Sequence, residues 1–475
     1  MNSPFNEQHY NKLLEGLEIS EVLLSDIKKD NEEFRIDDGY YKKEYLDIYK
    51  KINNYVQLKD IVSMSDVSSN GSFRFVQDTL NDNYPKVIPY IRSGNVGETF
   101  INSNDLIKIS QEAHSVLKLS VTKLYDVMMA RKGKIGGASI ITERETNFNC
   151  NENVIKLSIE DKEKYNPFYF TAFFNSKYGL KQVERLSTGN VQPWLSIFQI
   201  RKLRLEVLSV DFQKKIEQII LCAHNKMEES ESLLSCAERI MLEALSLKDW
   251  APQSTLHTTK TFSEFIQSGR LDAEYYQRKY DELFEKLKDV KCKTIREIKD
   301  INYRGFQPEY VVNGTIDVIN SKHILEDGLD YDNFEKTDEN SYRKYDRSHV
   351  NYGDILTYTT GANIGRTQVY LSDKKAMASN HVNMLRVKNI NPVYVALVLN
   401  SFIGRMQTEK YCSGSAQVEL YPDDLEKFII PILSPNLQKE IANLVLKSFD
   451  CKKQSKHLLQ EAKQMVEAEI ENDNH

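Results

Sequence analysis

Cysteine is scarce here, six in 475 residues, and none of the six falls in a CxxC pair. That spacing excludes a zinc site built on such pairs and points to reduced thiols, not a disulfide framework. No apolar run reaches the roughly 18–20 residues of a membrane span. The opening MNSPFNEQHYNKLLEG has neither a basic n-region nor an apolar h-region, so no signal peptide and a cytoplasmic location are expected. Catalytic signatures are missing as well. There is no GxxxxGK[ST] and no GxGxxG anchored on a strand. The nine histidines make no HExxH. NPFY (Asn166–Tyr169) and NPVY (Asn391–Tyr394) lack the second proline of an adenine-methyltransferase loop, and no glycine-rich loop for S-adenosylmethionine precedes them. YPDDLEK (Tyr421–Lys427) has the wrong carboxylate–lysine spacing for a nuclease. A formal net charge of −6 leaves nucleic-acid binding to the local field of one face.

What the chain does contain is itself, twice. Residues Asn166–Leu221 align without a gap on Asn391–Leu446, with 18 identities over 56 positions. Upstream, RIDDGYYKKEY (Arg35–Tyr45) corresponds to RLDAEYYQRKY (Arg270–Tyr280), and IRSGNV (Ile91–Val96) to INSKHI (Ile319–Ile324). YDVMMARKGKIGG (Tyr125–Gly137) corresponds to GDILTYTTGANIG (Gly353–Gly365). A duplication this long is no short solenoid repeat. It predicts two homologous modules, about 1–250 and 251–475.

Each module is expected to open with an amphipathic helix, marked by Tyr41, Tyr45, Ile48 and Ile52 and again by Tyr276, Tyr280, Leu283 and Leu287. Short strands follow, as in VIPYIRSGNVG and HVNMLRVKN. Then comes a short apolar helix capped by Asn166 or Asn391, with Pro167 or Pro392 at its first position. Each module closes with a long helix. In the first, Ile216, Ile220, Ala223, Met227, Ser230, Leu234, Ala237, Met241 and Ala244 step by four and three, which is a heptad seam. The second seam runs Ile441, Val445, Ser448, Lys452, Ser455, Leu459, Ala462, Val466 and Glu469. Two rods of ~50 Å are expected to pack on each other; the alternative is that each packs on its own module. Lys248–Thr261 is polar, carries a proline and reads as the linker.

The duplicated loops carry donors, acceptors and cations. Module one offers Arg92, Ser93 and Asn95, then Arg131, Lys132 and Lys134, then Thr188, Asn190 and Gln192. Module two offers Asn320, Lys322 and His323, then Thr359, Thr360, Asn363 and Arg366, then Ser413, Ser415 and Gln417. SSNGSFR (Ser68–Arg74) and NYRGFQ (Asn302–Gln307, with Arg304) add two more loops. Arg and Lys reach guanine O6/N7, and Asn and Gln pair with adenine. Lys, Ser and Thr hold phosphates. The copies differ most in these loops, RKGK against TTGAN, which suggests one scaffold reading two different sequences.

On these residues the chain resembles the specificity subunit of a type I restriction–modification system. The likeness is carried by GDILTYTTGANIG and by YCSGSAQVELYPDDLEKFIIPILSPNLQKEIANLV (Tyr411–Val445), with weaker copies in module one. Module one departs from the pattern with Val207, Leu208 and Val210 where module two has IPILSP. The resemblance implies an α+β fold: two mixed α/β target-recognition domains (1–210 and 251–435) and two long spacer helices (211–250 and 436–475) in an antiparallel coiled coil. It implies a helix–helix interface through Ile216, Ile220, Met227, Leu234 and Met241 against Ile441, Val445, Leu459 and Val466. It implies a non-catalytic DNA reader of a split, asymmetric double-stranded site. Two methyltransferase subunits would use S-adenosylmethionine, and two motor-nuclease subunits would use ATP and Mg; the chain itself would bind no cofactor, metal or membrane. Two other readings stay open. One is an adaptor of a defence system without a nuclease. The other is part of a fused restriction–methylation enzyme, which would need the methyltransferase motifs absent above.

Overall fold

The computed structural model describes all residues except 1–5, 18–19, 26, 28–34, 104, 134, 190, 254–256, 327, 415–417 and 473–475; the side chains of residues 11 and 38 are likewise left undescribed. The chain divides into two compact units, Met1–Asn225 with Gln454–His475, and Lys226–Lys453. Neither boundary lies at residue 250, where the sequence places the module junction. The division instead cuts through both long helices, Val210–Ala244 and Pro435–Asn472.

In the first unit, strands Val62–Ser65, Val154–Ile159, Val127–Ala130, Ala138–Ile140 and Thr99–Phe100 form one sheet in that order. Strand Val127–Ala130 is buried at all four residues, because successive side chains alternate between two covered faces. Val127 and Met129, with Ile155 and Leu157, pack on the helices that include Pro167–Asn175 and Lys177–Leu186. Met128, Ala130 and Val154 point the other way, onto Ile91, Val96 and Cys150. Ile91 and Cys150 belong to a second sheet, ordered Ile107–Ser110, Lys86–Ile91, Asn149–Cys150.

The second unit repeats this plan. Its first sheet runs Lys299–Arg304, Val382–Val387, Ile355–Tyr358, Thr367–Val369, and its second Glu335–Thr337, Ile316–Ile319, Ala376–Ala378, His349–Val350. Ile355 and Leu385 face the helices, and Leu356 and Met384 face the second sheet. Registers correspond as well: Val127 pairs with Leu157, and Ile355 with Leu385.

The identities of the duplication mark shared joints. Asn166 accepts the N–H groups of Phe168 and Tyr169, and Asn391 those of Val393 and Tyr394. The Gln213 and Gln438 side chains accept the N–H groups of Asn166 and Asn391 at 2.8 and 3.1 Å. The Tyr169 and Tyr394 hydroxyls donate to the carbonyls of Glu206 and Pro431 at 2.7 and 2.9 Å. Gly179 and Gly404 let two short helices meet: a Cβ there would lie 2.3 Å from Phe174 Cα or 2.1 Å from the Leu399 carbonyl oxygen. Arg35 and Arg270, at matching positions, close on the end of the second of those helices. Arg35 donates to the carbonyls of Arg185, Leu186 and Ser187, and Arg270 to those of Tyr411 and Cys412. Cations suit a helix C-terminus, where carbonyls lack partners.

The opening helices are shorter than the periodicity suggests, Lys43–Lys51 and Arg278–Leu287; Tyr41 and Tyr276 sit in preceding 3-10 turns. The linker is not wholly loose, since Trp250 packs on the second unit's core with its ring 5.8 Å from Phe402.

Packing of the long helices combines both sequence expectations. In the first unit, Ile216 and Ile220 share a core with Ala462, Val466 and Ile470, with Leu459 against it. In the second unit, Ala237, Met241 and Leu245 share a core with Ile441 and Val445, with Leu234 against it. Two hydroxyl layers lie between the helices. Ser230 and Ser448 each donate to the other's carbonyl at 2.8 Å in the second unit. Ser455 donates to the Ala223 carbonyl at 2.7 Å in the first. The seam ends differ from the heptad reading: Leu245 and Ile470 are buried where Ala244 and Glu469 were expected to face inward. On the second helix a straight 3.6-residue turn drifts off a 3.5 repeat, so a last step of four replaces three; Leu245 follows the last residue of the first helix, in the turn that ends it. Met227 is only half-buried.

Candidate nucleic-acid interface

In each unit a strand end and a distant loop are stitched together. In the first, the Leu195 N–H donates to the Arg131 carbonyl at 2.8 Å, and Thr188 and Trp194 exchange backbone bonds at 2.9 and 3.0 Å. Lys132 and Thr188 both form isolated β-bridges to Trp194. In the second, the Leu420 N–H donates to the Thr359 carbonyl at 2.9 Å, and Ser413 and Glu419 exchange bonds at 2.7 and 2.9 Å. Thr360 and Ser413 both bridge to Glu419. Two of the three loops expected from the sequence therefore form one junction, built twice at matching positions. Gly189 makes the first junction possible: its φ is +97°, and a Cβ there would stand 2.6 Å from the Gln192 carbonyl oxygen. Gly414 holds the matching place with φ +112°.

The candidate residues differ in availability. Lys132 is partly exposed and Gln192 exposed in the first junction; neither has a side-chain hydrogen bond or ion pair among the described residues. Asn363 and Arg366 occupy the turn between strands Ile355–Tyr358 and Thr367–Val369, partly exposed and likewise without such a partner. Ser413 is partly exposed. Lys134, Asn190, Ser415 and Gln417 lie outside the described residues.

Three expectations need correction. Arg131 is committed to the fold: its guanidinium pairs with the fully buried Asp66 at 2.6 Å and donates to the Leu195 carbonyl at 3.2 Å. Asn95 is 3% exposed; it accepts the Arg92 N–H at 3.0 Å and donates to the Asn102 carbonyl at 3.2 Å. It shapes a turn and is buried away from any base. Thr360 is 6% exposed, with its hydroxyl buried and unpartnered. The first candidate loops stay with the second sheets. The Arg92 side chain donates to the Asp105 carbonyl at 2.9 Å, and exposed Lys322 pairs with Glu335, which holds the lysine above its ordinary pKa.

Sequence reasoning missed the charged partner inside the second junction. Arg304 lies 3.5 Å from the Glu419 carboxylate and donates to the Leu420 carbonyl at 3.0 Å. Its guanidinium stands 4.9 Å over the Tyr421 ring. The Tyr421 hydroxyl, followed by Arg304, holds the Glu419 carboxyl below its usual range despite some desolvation. Trp194 holds the corresponding place in the first unit, 41% exposed. One junction thus presents an indole and a lysine, the other a carboxylate–guanidinium pair. The exact 225-residue offset between Trp194 and Glu419 could have identified both.

Among known proteins, residues 286–464 match the model of the type I restriction modification DNA specificity domain. Solved structures similar to the chain include a type I restriction-modification S subunit from M. genitalium, at 11% identity and TM-score 0.41, covering 88% of this chain and 95% of that one. An HsdS subunit from Thermoanaerobacter tengcongensis is similar at 12% identity and TM-score 0.28, covering 87% and 95%. The type IIG restriction endonuclease BpuSI is similar at 9% identity and TM-score 0.28, covering 40% and 29%. No curated protein matches the chain.

Proposed function

We propose, because residues 286–464 match the type I restriction modification DNA specificity domain, that the chain is a member of that family and that its two units read the two halves of one split, asymmetric DNA site. The observation that supports this is the junction built twice on one scaffold with different side chains. Each copy would present its loops to one half-site: Lys132 and Gln192 in the first, Arg304, Glu419, Asn363, Arg366 and Ser413 in the second. Arg and Lys suit guanine or phosphate, and a carboxylate suits the cytosine amino group.

The long helices pair antiparallel in this proposal and space the half-sites. Contacts within the second unit favour that direction: Ser230 meets Ser448, and Ala237 and Met241, further along the first helix, share a core with Ile441 and Val445, further back on the second. Partner subunits supply the chemistry. Two methyltransferase subunits use S-adenosylmethionine, and two motor-nuclease subunits use ATP and Mg, while this chain catalyses nothing and binds no cofactor.

The test is methylation-sensitive sequencing of DNA from cells expressing the chain with a methyltransferase partner. The expected motif has two different halves separated by unread bases. A continuous motif, or a palindrome from the intact chain, would refute the proposal.

A further inference from the structure

The two units share a short capped helix whose exposed residues differ in chemistry. In the first unit Ser110 caps helix Gln111–Val116 by accepting the Ala113 N–H at 2.9 Å. In the second, 228 residues later, Asp338 caps helix Glu339–Lys344 by accepting the Ser341 N–H at 2.8 Å. A 3-10 turn follows in both, Lys118–Ser120 and Asp346–Ser348. The scaffold is the same, but Ser115, Val116 and Leu119 in the first unit stand where the second has Arg343, Lys344 and Arg347. Val116 and Leu119 are 48% and 55% exposed. The three cations are exposed too, and none makes a side-chain ion pair among the described residues. The helix does not need them to form, since it forms in the first unit without them.

These cations adjoin the segment that follows strand Lys299–Arg304. The Phe306 N–H donates to the Ser348 hydroxyl at 2.8 Å. The Phe306 ring, 47% exposed, stacks on Tyr345 with centroids 5.5 Å apart and planes 17° apart. The Arg347 guanidinium lies 4.8 Å over the Tyr303 ring. Three cations within five residues, set beside an exposed aromatic stack, form a row of one sign broken only by the Asp346 carboxylate. Such a row suits a phosphate backbone, which carries regularly spaced charge and asks for no particular base.

We propose that Arg343, Lys344 and Arg347 form a phosphate-contacting ridge peculiar to the second unit, holding that unit on the DNA backbone beside the bases its junction reads. This rests on the DNA-recognition reading above. It makes the two units unequal: the second carries three cations there, while the first has Ser115, Val116 and Leu119 at those positions and a single exposed cation, Lys118, where the second has Asp346.

The experiment measures binding of the full chain, with its methyltransferase partner, to a labelled 40-base-pair duplex of mixed sequence across 50–200 mM KCl. The triple variant Arg343→Ser, Lys344→Ser, Arg347→Ser should lower the salt slope by about 2–3, near 0.9 for each lost phosphate contact. A control variant, Lys286→Ser, Lys288→Ser, Lys291→Ser, removes three exposed charges of the same unit and should change the slope by less than 1. The methylated motif should be the same for all three proteins. A fall below about 1.5 in the ridge variant, or an equal fall in the control, overturns the ridge while leaving DNA reading intact. If the wild-type complex binds no duplex at all, DNA recognition itself fails, and the ridge with it. Equal thermal midpoints for the three proteins are expected, because Ser115 already stands at the first of these positions in the first unit; a midpoint lost only in the ridge variant would make the cations structural and also overturn the proposal.

Discussion

At the residue scale, the duplicated positions sort side chains into those that build the scaffold and those that vary on it. Arg131 shows why a cation in a recognition loop is not automatically a DNA contact. Its partner Asp66 is fully buried, and a buried carboxylate left alone costs far more than a surface pair contributes. Arg131→Ala should therefore destabilise the first unit by about 3–5 kcal/mol, seen as a lower denaturant midpoint. Lys132→Ala should leave that midpoint unchanged and weaken binding to all sequences alike. His323 offers a second test, of pH. It is 1% exposed, its Nδ1 accepts the Asn320 N–H at 2.9 Å, and desolvation lowers its pKa despite Glu335 nearby. A neutral histidine favours the fold above its unfolded pKa of ~6.5; that contribution is lost as pH falls from there toward the lower folded value, because the unfolded chain then binds the extra proton. His323→Asn should remove this part of the acid sensitivity and keep the turn, since Asn95 already makes the same bond to Arg92 in the first unit. Unfolding curves at pH 7 and pH 5 decide it: an unchanged pH dependence in the variant means His323 carries no linkage.

At the scale of elements, the strands, the capped apolar helices and both long helices were legible because each has a local signature. Asn–Pro caps, period-two apolar runs and a four–three seam need only neighbours in sequence. The roles of Arg131, Asn95 and Thr360 were not, because a side chain's availability depends on partners 60 residues away or on a turn closing over it. Nor could the seam reveal that Leu245 and Ile470 replace Ala244 and Glu469, since both spacings fit a helix over one turn. The long helices also carry a prediction. A fragment of residues 1–247 should dimerise and, with a methyltransferase partner, direct methylation to a palindrome of one half-site. Read by sequence alone, Ser230 would meet its own copy there. The contacts give a different pairing: Ser448 corresponds to Ala223, so Ser230 should face Ala223 of the second copy, as Ser455 faces Ala223 here. Sedimentation at tens of micromolar checks this, and a strictly monomeric fragment would contradict the helix pairing.

At the scale of the whole molecule, two separate cores imply two nearly independent functions. Exchanging residues 262–434 for those of a relative should change one half of the methylated motif and spare the other, as distant sites act almost additively; a simultaneous change in both halves would argue against two readers. The cores are not independent in the time they take to form. The first unit needs Ala462, Val466 and Ile470 beside Ile216 and Ile220, and these are separated by some 240 residues of chain. At roughly 5–20 residues per second, a ribosome needs on the order of tens of seconds to deliver the missing side of that core. Through that interval the nascent first unit carries an open apolar seam, next to sister chains on the same message carrying the same seam. The long helix is thus also a waiting surface, and crowded translation should raise the share of chains that close on a neighbour instead of on themselves.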